Sequence, residues 1–255
     1  MTLVLIAVAA VLAAPSGNFD HQHAQLDGVL KEYVVDGLVD YQGLKENRTP
    51  LDDYLMAAGS VPISEFQGWS PEEQLAFLIN VYNGTTLQFI IDAYPVDSIK
   101  SLGSLLSSPW GKKTVLLFGK KLSLDTLEHK IIRKNYEEPR VHFALVCAAL
   151  GCPELRNEAY TASQLEAQLE NQARNFLNSE EKNRVEPEKK CLSLSSIFRW
   201  YRKDFEKDSE SVAAFVVAYM AEPGTPKDVW KDYRLCYTKY DWALNVQPLA
   251  KGGRE

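Results

Sequence analysis

The apolar segment Arg140-Val-His142-Phe-Ala-Leu-Val-Cys147-Ala-Ala-Leu-Gly-Cys152-Pro153-Glu154-Leu155 carries one histidine and two cysteines and runs into a Gly-Cys-Pro loop. A cysteine nucleophile needs an imidazole to take its proton or steady its thiolate, and a carboxylate or amide to orient that imidazole. Cys147 is the candidate nucleophile and His142 the candidate base, with His129 as its substitute; Asp241, Glu128 and Asn80 are the candidate orienting groups. All four histidines precede Cys147, so the papain-like order of cysteine before histidine is impossible. Spacing works against a direct pair. Residues five apart face opposite sides of a strand and diverge by about 140° on a helix, so His142 and Cys147 meet only if the segment bends or bulges. The alternative is plain packing, with Cys147 a small buried hydrophobe and His142 a hydrogen-bonded core histidine.

The same residues allow other chemistries. Cys147 and Cys152 are a candidate disulfide or redox pair, although their spacing departs from the Cys-x-x-Cys of thioredoxin-like motifs. Cys191 and Cys236 fall on expected strands and are a candidate structural bridge. His129, His142, Cys147 and Cys152 supply zinc-type ligands without finger-like or His-Glu-x-x-His spacing, which leaves metal as the weak alternative. In FLINVYNGTT, Asn80 and Asn83 flank an apolar stripe, where buried amides either brace a neighbouring loop or wall a pocket. Asn83-Gly-Thr85 matches a glycosylation sequon, but its expected burial argues against use.

The elements that must position these groups read as follows. Ser70-Pro71-Glu72-Glu73 opens a core helix that ends at Tyr94-Pro95. Lys112 to Leu124 is a hairpin pattern about Gly119. Asp125, with Glu128 three residues on, caps the next helix, TLEHKIIRK. Arg140 to Ala149 is a short apolar run that fits a buried strand or a buried helix, its length and Val-His-Phe opening favouring strand. Thr161 caps a helix to about Asn178, a further helix covers SESVAAFVVAYM, and RLCYTKYDWALN alternates like a strand. His21-Gln-His23 reads as a disordered N-terminal piece.

The 255 residues are 45% hydrophobic and 24% charged, a globular composition that excludes disordered and collagenous chains. A net charge of −6 leaves no basic surface for phosphate, so no nucleic-acid partner is expected. The uncharged apolar run Thr2 to Ala14 is shorter than the roughly 20 residues of a membrane span and reads as a signal peptide cleaved near Ala13-Ala14. The other readings are an N-terminal anchor or a false start. Export gives a secreted or periplasmic location, an oxidising compartment, and a mature chain without a stable membrane span. The expected architecture is α+β: a helix-rich single domain with a small, mainly antiparallel sheet. It divides into a signal peptide over 1–14, an N-terminal helical extension packed on the core over 15–70, the domain proper over 71–246 and a disordered tail over 247–255.

FLINVYNGTTLQFIIDAYPVDSIK, LSLDTLEHKIIR, RVHFALVCAALGCPELR, LSLSSIFRWYRKDF and YTKYDWALN, in that order, resemble Domain of Unknown Function family 547, over about Pro71 to Asn245. Leu78 stands where the family commonly has Trp, and Gly84 where Ala is usual. The resemblance implies a shared fold and names no activity. It does place Asn80, Asn83, Glu128, His142, Cys147, Asp241 and Asn245 at motif centres, which suggests one cleft, with Asn83, His129, Asn245 and Trp242 as its binding residues. Two functions fit: a thiol-dependent hydrolase or acyl transferase, or a non-catalytic exported binding or scaffold module. No cofactor is expected, and the partner is an unidentified small molecule or peptide.

Overall fold

The computed structural model describes residues 18–104, 107–207 and 209–248. The expected signal peptide and most of the expected tail lie outside them. Helices dominate, and the strands form three small sheets, so the architecture is the helix-rich α+β one. No helix among the described residues is long and apolar enough to cross a membrane.

The chain begins with α1 (Ala24–Tyr33), a two-stranded ribbon of β1 (Val34–Val35) and β2 (Leu38–Val39), and helices α2 (Tyr41–Glu46), α3 (Thr49–Ser60) and α4 (Ile63–Phe66). Their apolar side chains, among them Leu26, Leu30, Leu51 and Leu55, belong to the same core as α5 (Pro71–Ala93). Helix α5 starts where the sequence says it should. The Ser70 hydroxyl accepts from the Glu73 N–H at 3.2 Å, and the Glu73 carboxylate accepts from the Ser70 N–H at 2.8 Å. It ends because Tyr94, preceding Pro95, is held extended. Between those ends the helix is buried on every side from Leu75 to Leu87, so it forms the axis of the larger core.

A hairpin follows, β3 (Val115–Leu117) against β4 (Lys120–Leu122). Its turn, Phe118-Gly119, has both residues at positive φ, 52° and 70°, which matches the twist of tight hairpins. Next come α6 (Leu124–Thr126), a π-helical turn over Leu127–Ile132, and α7 (Arg133–Asn135). The cap of α6 is Ser123, whose hydroxyl accepts from the Thr126 N–H at 3.1 Å, and not Asp125. Asp125 lies one residue into the helix and turns toward a cavity instead.

Arg140 to Ala149 is not a strand. Val141–Ala144 forms the short helix α8, and the chain then runs irregularly with one isolated bridge, Ala149 to Leu244. A side chain supplies what a neighbouring strand would have supplied: Asn83 Nδ2 donates to the Ala144 carbonyl at 2.9 Å, and its Oδ1 accepts from the Val146 N–H at 3.0 Å. The next helix, α9 (Leu165–Leu177), starts later than the expected Thr161, because residues 162–164 form a turn.

The last third holds β5 (Arg184–Glu186), β6 (Cys191–Leu194), helices α10 (Ile197–Trp200), α11 (Arg202–Phe205) and α12 (Val212–Met220), and β7 (Arg234–Tyr237). Strand β6 is central, antiparallel to β5 and parallel to β7, and the Cys191–Cys236 disulfide staples β6 to β7. Beyond β7 the chain is irregular. It is nonetheless tied down as far as Gln247, whose side chain donates to the Tyr33 and Leu38 carbonyls at 3.0 and 3.2 Å.

Two apolar clusters result. The larger surrounds α5, and the smaller packs Phe143, Phe198, Phe205 and Phe215 against α9 and α12. The segment Val141 to Val146 divides them, with Phe143 in the smaller cluster and Val141, Ala144, Leu145 and Val146 in the larger.

The N-terminal histidines are ordered, contrary to the disordered reading of that piece. His23 is 2% exposed, packs beside Phe19 and Phe77, and bonds Tyr54 Oη through Nδ1 at 2.8 Å. Burial pushes its pKa down from 6.5 to about 4. Above pH 6.5 the ring is neutral folded or unfolded. As pH falls toward 4 the unfolded chain takes the proton first, so stability is lost across that window, by about 3 kcal/mol at most. Urea midpoints should therefore drop from pH 7.5 to pH 4.5, and the drop should shrink in His23→Gln.

Candidate functional site

A cavity of about 290 Å³ opens along the seam between the two cores. Tyr82 of α5, Asp125 of α6, and Glu128 and His129 of the π-helical turn line one side. His142, Leu145, Cys147, Cys152 and Pro153 come from the dividing segment and the loop after it. Trp200 and Tyr201 from the end of α10, with Tyr240, Trp242 and Trp110, form the aromatic wall.

The π-helical turn matters because it brings two successive residues, Glu128 and His129, to the same cavity; such turns recur at functional sites. Glu128 is buried, and its carboxylate accepts from the Tyr82 hydroxyl at 3.2 Å. Burial raises the Tyr82 and Tyr201 phenols above their ordinary pKa, with the nearby Glu128 charge adding to it, so both stay protonated donors. His129 Nδ1 lies 2.9 Å from an Arg133 Nη, which can only donate, so that nitrogen is the acceptor.

His142 is buried and stacked on the Tyr201 ring, with centroids 3.8 Å apart and planes 19° from parallel. Its Nε2 lies 2.8 Å from Asp204 Oδ2. Burial lowers the imidazole's pKa, and the hydrogen bond to Asp204 opposes this without overcoming it, so the ring is neutral at pH 7. Asp204 is also gripped by Arg133, whose Nε and Nη2 donate at 2.6 and 3.0 Å. Partial burial would raise that carboxyl; the bonds to His142 and Arg133 outweigh it and hold the pKa well below the carboxylate range. Asp204 stays ionised, so the proton between the two residues sits on His142 Nε2.

The aromatic wall is a contiguous group of rings. Tyr240 lies 4.6 Å from Trp242 and 4.9 Å from Trp200, Trp110 packs edge-on to Trp242 at 5.8 Å, and the Lys100 ammonium sits 4.8 Å from the Trp242 centroid.

The sulfurs of Cys147 and Cys152 are joined as a disulfide, not held as a free nucleophile or as metal ligands. Among the described residues, no group of three or more His, Cys, Asp or Glu side chains is placed to hold a metal. The orienting group of His142 is Asp204, and none of the three expected residues. Asp241 is exposed, turns its Oδ1 back to accept from the Ala243 N–H at 2.9 Å, and lines a neighbouring groove. Asn80 is spent on the Tyr160 backbone, donating to its carbonyl at 2.7 Å and accepting from its N–H at 2.9 Å. Glu128 does line the cavity, but it is held by the Tyr82 phenol. Among the expected binding residues, His129 and Trp242 line the cavity. Asn83 is the buried clamp of α8, and Asn245 is fixed between the Gly37 carbonyl and the Tyr41 hydroxyl, at 2.9 and 2.7 Å.

Asp204 is the residue that sequence reasoning passed over. Its one signal was its place in LSLSSIFRWYRKDF, three residues beyond the Tyr201 that stacks on His142. Trp110 had no signal beyond being a tryptophan after a proline.

The fold and the cavity define a small α+β domain with an aromatic-walled cleft. Residues 66–177 match the family model described as "Protein of unknown function, DUF547", the family its motifs resemble. That match covers Tyr82, Glu128, His142, Cys147 and Cys152 and stops short of Trp200, Tyr201, Asp204, Tyr240 and Trp242. No curated protein and no solved structure significantly matches the chain.

Asp204→Asn removes the charge that Arg133 and His142 share. It should lower stability by about 1–2 kcal/mol, because Arg133 and Asp204 are only partly exposed and His142 is buried. With burial left as the dominant influence, the His142 pKa should fall further, which an NMR titration of its ring protons reads directly; an upward shift would contradict the pairing.

Proposed function

We propose that the chain is an exported binding module whose cleft takes a small molecule or peptide side chain with an apolar or cation-bearing face. The convergence of Trp110, Trp200, Trp242, Tyr201 and Tyr240 on one cavity, beside the Glu128 carboxylate, carries this reading. Trp200 is 42% exposed, an unusual cost for a tryptophan unless its face is reserved for a ligand. Asp125 and Glu128 line the cavity, while the Lys100 ammonium sits on the Trp242 ring of its wall; the lining carboxylates favour neutral or cationic ligands over anions. A cavity near 300 Å³ suits a small ligand. Two disulfides and the apolar leader support an oxidising, extracytoplasmic compartment.

Three of the five tryptophans line the cleft, so intrinsic fluorescence reports on it. Titration with arylalkylamines should quench that emission, and carboxylates of the same shape should do so more weakly. Trp200→Ala should weaken amine binding about tenfold, the equivalent of about 1.4 kcal/mol. Equal response to amines and carboxylates, or binding indifferent to Trp200, would sink this reading.

A second reading, the thiol-dependent hydrolase or acyl transferase, is favoured by one observation: Cys147 and His142 line the same cleft. It requires the disulfide to be open, with Cys147 as nucleophile and the neutral His142 as base. Reduced wild-type protein should then hydrolyse activated thioesters, oxidised protein and Cys147→Ser should not, and His142→Gln should lose most of the rate. Equal rates for the oxidised and reduced forms would exclude it.

A further inference from the structure

We propose that the Cys147–Cys152 disulfide is a thiol–disulfide exchange site, with Cys147 the sulfur attacked by an incoming thiolate and Cys152 the leaving thiolate. This activity goes beyond ligand capture and does not depend on which molecule the aromatic wall prefers.

The two sulfurs differ in the way such a step requires. Both cysteines line the cleft, but Cys147 is half-buried whereas Cys152 is only 2% exposed. Access therefore favours attack on Cys147, which expels Cys152. A leaving thiolate needs donors, and Cys152 Sγ already has two: the Cys147 N–H at 3.0 Å and the Tyr240 hydroxyl at 3.2 Å. Burial keeps the Tyr240 phenol protonated, so it remains a donor. Lys182 adds an ammonium on the same residue, donating from Nζ to the Cys152 carbonyl at 2.7 Å. The Tyr240 hydroxyl also lies 3.3 Å from Cys147 Sγ, so one group touches both sulfurs.

The loop between the cysteines does not rely on the disulfide for its shape. Leu150 and Gly151 donate backbone N–H bonds to the Ala243 and Asp241 carbonyls, each at 2.8 Å, and Asn245 donates to the Ala148 carbonyl at 3.2 Å. A side chain at Gly151 would come within 2.8 Å of the Asp241 backbone, so the two segments are in direct contact. Ala148 is held at φ 58°, a conformation unfavourable for alanine, and such residues cluster at functional sites. A loop fixed in this way can lose and regain its S–S bond without unfolding.

The balance is simple. A substrate thiolate bonds to Cys147 Sγ, the S–S bond breaks, and its electron pair leaves on Cys152. A second thiolate of the same dithiol then attacks the substrate's sulfur in the mixed disulfide and releases Cys147. The dithiol is oxidised by two electrons, and the protein's disulfide is reduced to two thiols.

Full-length protein is treated with dithiothreitol, alkylated, and each cysteine mapped by mass spectrometry. Cys147 and Cys152 should label well before Cys191 and Cys236, with the circular dichroism of the fold retained. With glutathione disulfide, Cys152→Ser should form a mixed disulfide on Cys147 several-fold faster than Cys147→Ser forms one on Cys152. Tyr240→Phe should slow wild-type reduction several-fold. Reduction of both disulfides together with loss of structure, equal glutathionylation of the two serine variants, or a Tyr240→Phe rate equal to wild type overturns the proposal. If a serine variant does not fold, the order of labelling in wild type decides.

Discussion

The side-chain amide of Asn83 holds the Ala144 carbonyl and the Val146 N–H, and the cleft depends on that clamp. Those two backbone groups are buried in apolar surroundings, where leaving them unpaired would cost about 1–3 kcal/mol each. With one amide serving both, the chain can leave α8 after a single turn and still cross between the two cores. That crossing sends Phe143 into one core, sets His142 against Tyr201, and delivers Cys147 to the cavity. Asn80, one turn earlier on the same helix, does the same for Tyr160 and steadies the chain that leads into α9. Helix α5 is thus both the apolar axis of the larger core and the polar frame for the segment that lines the site.

The surroundings of the cavity fix the protonation states of His142, Asp204, Tyr82 and Tyr201 near neutral pH. His142 is neutral because it is buried, and Asp204 is ionised because Arg133 and His142 bind it. The phenols of Tyr82 and Tyr201 stay protonated, and Tyr82 donates to Glu128. Arg133 lies 4.9 Å from the Tyr201 ring and binds Asp204 through Nε and Nη2, so its charge is directed at Asp204 and the ring. What remains toward the cavity is carboxylate and aromatic face, a surface suited to cations and apolar groups.

Elements with strong local signals were legible in the sequence. The Ser70–Glu73 capping box, the Tyr94-Pro95 stop and the Gly119 turn act within a few residues, so local pattern located α5 and the hairpin. The staple between Cys191 and Cys236 could be anticipated because both cysteines sit on strand-like runs. Arg140 to Ala149 misled, since an apolar run looks the same whether a strand partner or a distant amide satisfies its backbone. Asp125 misled for a related reason: it resembles a cap, but Ser123 already filled that role. The site's pairings were least legible, because His142–Asp204 and Tyr82–Glu128 join residues 62 and 46 positions apart, and nothing in one sequence couples such positions.

The two disulfides show why placement in the fold, and not cysteine count, decides what a cysteine can do. Cys191–Cys236 lies across paired strands whose ladder bonds already align them, and Cys191 is almost fully buried there, so the bond stabilises chiefly by shortening the unfolded chain. Cys147–Cys152 joins cysteines only five positions apart, where the same entropic effect is smaller. That loop is already fixed by its backbone bonds to Asp241, Ala243 and Asn245. A bond that contributes little to holding its own loop, faces a cavity on one side and touches a phenol with both sulfurs is poorly explained as a staple. Its position makes sense if the sulfurs themselves are what the cleft presents to its ligand.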